Sequence, residues 1–232
     1  MTFSRLRYLL PVAVLSLLSS SAFSQSECEI PGLFDSCTSS VSFQDYNYDI
    51  IEIGDQCWFQ ENLRSEYYLN GELIPGDNDG SDWGSTMGLQ SYYDNDLVNL
   101  NAFGRLYNWY AVDDERGLCP SGWHVPSDAE FTILTDALGG EAVAGGHMKE
   151  EGTEHWSGPN TGADNSSGFK GLGAGNRYEG TFNSINNYGY FWSSSPTGAS
   201  AWTRRLSFQA ADAERSGFYF LRIGYSVRCL RD

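Results

Sequence analysis

"CPSGWHVPSDAEF", residues Cys119–Phe131, packs a cysteine, a tryptophan, a histidine, two prolines and two carboxylates into one short run. Such a density of polar and reactive groups fits either a catalytic site or a structural corner, and the spacing decides between them. Ser127 followed three residues later by Glu130 is a capping box, in which each side chain satisfies a backbone amide in the first turn of a helix. Asp128 adds negative charge at the positive end of the helix dipole. Phe131, Leu134 and Leu138 then recur at helical spacing as a buried stripe, and Gly139-Gly140 ends the helix. Pro120 and Pro126 bracket a rigid turn into it. The carboxylates thus have a sufficient structural reason, and the stretch reads as a corner. His124 alternates with Trp123 and Val125 as a strand residue would, where an imidazole more often satisfies a backbone carbonyl than binds a ligand.

Working outward, "SFQDYNYDIIEIGDQCWFQENL" holds two strand-like runs around the turn at Ile53, Gly54 and Asp55, a β-hairpin that opens the domain. From Arg64 to Asn101 the chain is polar and rich in glycine and asparagine, which predicts long loops. In "NAFGRLYNWYAV", Phe103, Leu106, Tyr107 and Tyr110 fall at i, i+3, i+4 and i+7 and predict a second helix. Between Gly139 and Tyr190, Gly, Asn and Ser dominate, as in irregular loops tied down by aromatics. The last fifty residues carry "GYFWSSS", "AWTRRLSF", "GFYFLRI" and "GYSVRCL", a β-meander ending near Cys229. The expectation is an α+β domain with two helices, short antiparallel strands and long irregular loops.

The N-terminus sets the compartment. Arg5 and Arg7 precede an apolar run from Tyr8 to Leu18, and Ala22 and Ser24 precede a cleavage point before Gln25. Residues 1–24 read as a secretory signal peptide, 25–42 as an N-terminal appendage and 43–232 as the main domain. A secreted or cell-envelope location follows, with no membrane insertion after cleavage. Cleavage removes two of the 14 basic residues and no acid, leaving 12 against 30 and moving the formal charge from −16 to −18. Such a surface repels nucleic acid and anionic lipid.

Export permits disulfides, and five cysteines leave at least one thiol unpaired or joined to another chain. Cys28 and Cys37 bracket a Pro-Gly turn and suggest a local staple. Cys119 with Cys229 would close a loop worth about 4–5 kcal/mol in the chain-entropy model, leaving Cys57 free. Spacing alone does not fix the connectivity.

The chain resembles the Fibrobacter succinogenes major paralogous domain family. The resemblance rests on "IGDQCWFQENL" (53–63), "GRLYNWYA" (104–111), "CPSGWHVPSDAEF" (119–131), "GF" (168–169), "AGNRYEGTF" (174–182), "FWSSS" (191–195) and "GYSVRC" (224–229), in order across nearly the whole mature chain. It implies a C-type-lectin-like fold, distantly similar to formylglycine-generating and sulfatase-modifying domains, and no established reaction. Formylglycine-generating relatives use two closely spaced cysteines near the C-terminus to carry copper, since a cuprous ion needs soft thiolates. Here that region offers only Cys229, so that activity is not expected.

Other chemistry is sparse. Cys-x-x-Cys, His-Glu-x-x-His and Gly-x-Ser-x-Gly are absent, and His124, His147 and His155 are scattered singly. No catalytic residue is assigned and no enzyme is expected. Calcium is the one cofactor considered: "DNDGSD" places Asp77, Asp79 and Asp82 around Gly80, as a flexible oxygen-donor loop would, although a solvated acidic loop explains the same run. Trp83, Trp156, Tyr178 and Trp202 lie in or beside polar, glycine-rich segments and are the candidate ligand-binding residues, because sugars stack on aromatic faces. The expected function is a non-enzymatic binding or surface-interaction module for a carbohydrate or extracellular protein. An extracellular glycan-active enzyme using two loop carboxylates and a structural envelope component are the alternatives.

Overall fold

A computed structural model describes residues 37, 39–76 and 82–232. The expected signal peptide, Cys28, Asp77 and Asp79 lie outside the described residues.

Two hairpins open the fold where one was expected: β1 (Val41–Phe43) with β2 (Tyr46–Tyr48), then β3 (Ile50–Ile53) with β4 (Gln56–Phe59). The first strand straddles the expected boundary between appendage and domain. The 64–101 segment holds β5 (Gln90–Ser91), a 3-10 turn at Tyr93–Asn95 and the start of α1 (Leu97–Phe103), capped by the Asp96 carboxylate.

The single helix expected over 101–112 does not form. Instead α1 ends at Phe103, β6 (Leu106–Tyr107) intervenes, and α2 (Trp109–Val112) follows behind an Asn108 cap. The break occurs at Gly104, whose φ is +75° and where a Cβ would stand 3.0 Å from Asn62 and Leu63 atoms. Tertiary partners also claim the backbone. Arg105 N–H donates to the Leu63 carbonyl and Tyr107 N–H to that of Tyr225, so groups a helix would use internally join distant strands.

The quoted stretch enters as β7 (Trp123–His124) and α3 (Asp128–Ala137), with both halves of the Ser127–Glu130 capping box present. Phe131 and Leu134 are buried, and Leu138 packs beside them. Gly139-Gly140 ends α3 but does not open a long loop, because α4 (Glu141–Met148) starts at once. Two glycines within "EAVAGGHM" lower its intrinsic helix propensity. They are needed for packing: a Cβ on Gly145 would stand 1.9 Å from the Asp212 carbonyl oxygen. Lys149, fully buried after α4, donates to the carbonyls of Thr161, Ser207 and Ala210 at 2.7–2.8 Å and ties the Thr161 loop to the end of β11 and the turn that follows it.

The rest of the chain is largely β: β8 (Ala174–Tyr178), β9 (Thr181–Ile185), β10 (Tyr188–Thr197), β11 (Ser200–Ser207), β12 (Ala213–Phe220) and β13 (Leu230–Arg231). The five-stranded sheet runs β12-β11-β10-β8-β9, and the four-stranded sheet β3-β4-β13-β7. The expected meander is therefore β10 to β12 only. The segment after it leaves that sheet, and β13 pairs with β4 and β7, closing the end of the chain onto its opening hairpin. The fold is α+β, with four helices among the described residues. None is long and apolar enough to cross a membrane.

One core cluster, around Tyr107, Trp192 and Tyr225, surrounds the Cys119–Cys229 disulfide. A second lies beneath the helices, where Phe131, Leu134 and Met148 meet Trp58, Phe191 and Leu206. Asp128 bonds the helix layer to the sheet. Its carboxylate accepts from Arg204 Nη1 at 2.7 Å and from Arg215 Nη2 at 2.7 Å, and the Arg204 side chain is 1% exposed. Beyond its place at the helix dipole, it is the counter-ion of a buried cation.

The cysteines correct the expected pairing. Cys37 bonds Cys57 rather than Cys28, and Cys57 is not free. Pairing follows distance, and β4 brings Cys57 to a Cα separation of 5.6 Å from Cys37 across 20 residues of chain.

Candidate functional site

His124 does not bond a backbone carbonyl, as expected for an isolated strand histidine. Its Nδ1 faces Asp232 Oδ1 at 2.7 Å and its Nε2 faces Glu130 Oε1 at 3.0 Å. Glu130 Oε2 meanwhile accepts from the Ser127 amide. Burial pushes the Glu130 carboxyl up, but the Ser127 and His124 hydrogen bonds outweigh it and hold the group below the ordinary carboxylate range. A carboxylate kept ionised and committed to a helix cap is unsuited to deliver a proton.

The four candidate aromatics separate into two pairs. Trp156 is 1% exposed and its Nε1 donates to the Gly171 carbonyl, so it pins irregular backbone and offers no stacking face. Trp202 is half-buried on β11, with the Arg215 guanidinium 3.5 Å above its ring. Its outer face is occupied.

Trp83 and Tyr178 are brought together at one end of the five-stranded sheet. They share a depression of about 320 Å³ with Tyr110, Glu179, Phe220 and Arg222. Trp83 forms its wall and is itself buried, its ring held 4.1 Å from the Arg177 guanidinium. Gly224 packs against the indole as well, where a Cβ would lie 3.0 Å from it. Tyr178, at the end of β8, stacks on Phe220 with centroids 6.1 Å apart and planes 13° from parallel. Phe220 is 63% exposed and Phe218 is 91% exposed. A hydrogen bond to the Glu179 carboxylate raises the Tyr178 phenol above its ordinary value.

Phe218 and Phe220 are the residues that the sequence reading left out. In "GFYFLRI" the alternation of Phe218, Tyr219 and Phe220 puts two rings on the face opposite Tyr219. Tyr219 packs on Tyr190 and Tyr225 in the core. Period-two spacing was therefore a signal that one aromatic pair points outward.

Tyr110 also borders a larger cleft of about 730 Å³, lined by Leu73, Pro75, Met87 and the run Asp113–Arg116. Asp114 is bound by Arg116 through Nε at 2.8 Å and Nη2 at 2.7 Å, and these bonds hold its carboxyl below the ordinary range. Tyr110 lines both depressions.

Of the calcium candidates, Asp82 alone is described. It is exposed, and its Oδ1 accepts from the Gly84 amide at 2.7 Å, closing its own turn. His147 pairs with Asp164 at 3.0 Å, and His155 with Glu150 at 2.8 Å.

A family model described as Fibrobacter succinogenes major domain matches residues 51–231. No curated protein and no solved structure matches the chain.

Proposed function

The chain belongs to the Fibrobacter succinogenes major domain family, and from that premise we propose that it is an exported, non-enzymatic binding module that holds a neutral carbohydrate against Tyr178 and Phe220. The fold proposed for it is C-type-lectin-like, distantly related to the sulfatase-modifying domains.

The observation that carries the reading is the stack of half-buried Tyr178 on exposed Phe220 beside the Trp83-walled depression. The exposed ring of Phe220, backed by the nearly parallel ring of Tyr178, offers an apolar face that suits the CH face of a pyranose. Glu179 and Arg222, which line the depression, can exchange hydrogen bonds with hydroxyls. A formal charge of −16 disfavours anionic glycans.

A protein partner is the second reading, favoured by one observation: β12 lies at the edge of its sheet and ends in exposed Phe218 and Phe220, as a strand-adding partner requires.

The test is a glycan array followed by calorimetric titration of the best neutral oligosaccharide. Phe220→Ala and Tyr178→Ala should each weaken binding by about tenfold. An array with no signal above background, or affinities untouched by both substitutions, would refute carbohydrate recognition here. A parallel pull-down that retains a protein and loses it on Phe218→Pro would move the assignment to the second reading.

A further inference from the structure

We propose that Glu150, Glu154 and His155 form a binding site for a divalent transition-metal ion, with zinc the ion that best suits the donors. The site is separate from the aromatic depression and does not depend on the carbohydrate reading.

The ligand atoms of these three side chains lie within 4.8 Å of one another, with His155 Nδ1 already 2.8 Å from Glu150 Oε2. A tetrahedral zinc centre with bonds of about 2.0–2.1 Å needs its ligand atoms about 3.3 Å apart. The Glu150–His155 pair is near that spacing, and Glu154 is exposed and can close by a side-chain rotation. Two carboxylates and a neutral imidazole balance a divalent charge. An imidazole nitrogen favours zinc and its neighbours in the first transition row over calcium, which takes six to eight oxygens. Three protein ligands leave the fourth position for water.

The surrounding chain holds the donors in place. Glu150 N–H donates to the Gly171 carbonyl, and Ser157 N–H to that of Asn186, anchoring the segment on both sides. Phe103 meets the His155 ring edge-on at 5.2 Å, which fixes the imidazole plane. His155 also borders a depression of about 300 Å³, so the ring can be reached from outside.

Asn160, which is 6% exposed, braces the same turn. Its Nδ2 donates to the carbonyls of Glu150 and Gly152 at 2.9 and 2.7 Å, clamping the turn that carries the ligands. Its Oδ1, in the same amide group beside the Glu150 carbonyl, is buried with no hydrogen-bond partner among the described residues.

The test is calorimetric titration of the metal-stripped mature protein with Zn²⁺, with Mn²⁺ and Ca²⁺ as separate arms. One equivalent of Zn²⁺ should bind, weakened by about tenfold or more in Glu154→Gln and His155→Gln, and unchanged in His147→Gln, which alters the separate His147–Asp164 pair. Glu154 is exposed, so its variant keeps the fold, as circular dichroism would verify. The ¹⁵N resonances of the His155 imidazole should shift on Zn²⁺ addition. Absence of stoichiometric Zn²⁺ binding, binding lost in His147→Gln but kept in Glu154→Gln, or Ca²⁺ binding more tightly than Zn²⁺ would each overturn the proposal.

Discussion

Replacing Asp128 by asparagine tests whether the helix layer is bonded to the sheet by charge as well as by apolar packing. The Arg204 side chain is 1% exposed and that of Asp128 14% exposed, and their contact is 2.7 Å. Breaking such a pair from one side leaves a buried cation without its counter-ion, which costs about 3–5 kcal/mol. Arg204 keeps the Asp128 carbonyl and Thr132 Oγ1 as acceptors at 3.1 and 3.0 Å, so the lower end, about 3 kcal/mol, applies. Arg215, with a 38% exposed side chain, adds little. For a domain of this size that is a fall in Tm of about 6–12 °C.

The pH dependence has a definite sign. Burial alone would raise the Asp128 carboxyl, but the Arg215 and Arg204 hydrogen bonds outweigh it and the folded value lies below the ordinary one. Its stabilisation is therefore complete above the unfolded value of about 3.9 and is lost as pH falls through the folded value. Urea denaturation followed by circular dichroism from pH 7 downward should show wild type and Asp128→Asn converging in acid. The double variant with Arg204→Met should recover part of the loss, because the stranded charge is gone. A deficit below about 1 kcal/mol at pH 7, or one of equal size at every pH, would refute the argument.

Two further outcomes follow from the same structure. Replacing Cys119 and Cys229 together by alanine opens a loop spanning 110 residues and should lower stability by about 4–5 kcal/mol in the chain-entropy model. Calorimetry should then show a fall in Tm of about 10 °C or more, and a shift under about 3 °C would mean that packing alone holds the ends. At the alkaline end, burial pushes the phenols of Tyr48, Tyr68 and Tyr190 up to about 12. Stability is whole below the unfolded phenol value of about 10 and should decline as pH rises from there toward 12. Tyr48→Phe should make that decline shallower in urea midpoints, and an unchanged slope would count against the burial argument.

The corner around Cys119–Phe131 was legible in the sequence because its signals are local: a cap and its reciprocal glutamate lie three residues apart, and the apolar stripe follows at once. The strands β10 to β12 of the last fifty residues were legible for the same reason, since aromatic and β-branched runs between turns need no distant partner to be recognised, whereas β8 and β9 form inside the glycine- and asparagine-rich run 139–190 that reads as loop. Where periodicity failed, at 101–112, Gly104 and the strands bonded to residues 105 and 107 overrode a helical spacing that the local sequence does contain. Helix α4 was hidden by the opposite effect, with weak local propensity outweighed by backbone packing at Gly145.

The sequence by itself thus determined the α+β class, the capped helix and the family, all properties of neighbours along the chain or of motifs in order. Only the tertiary structure decided which cysteine Cys37 meets, that Trp156 is core while half-buried Tyr178 stacks on exposed Phe220, and that Glu150, Glu154 and His155 converge. Exposure and convergence depend on which distant segments cover a side chain, and residues 42 positions apart, like Tyr178 and Phe220, become neighbours only when β8 and β12 end on the same side of one sheet.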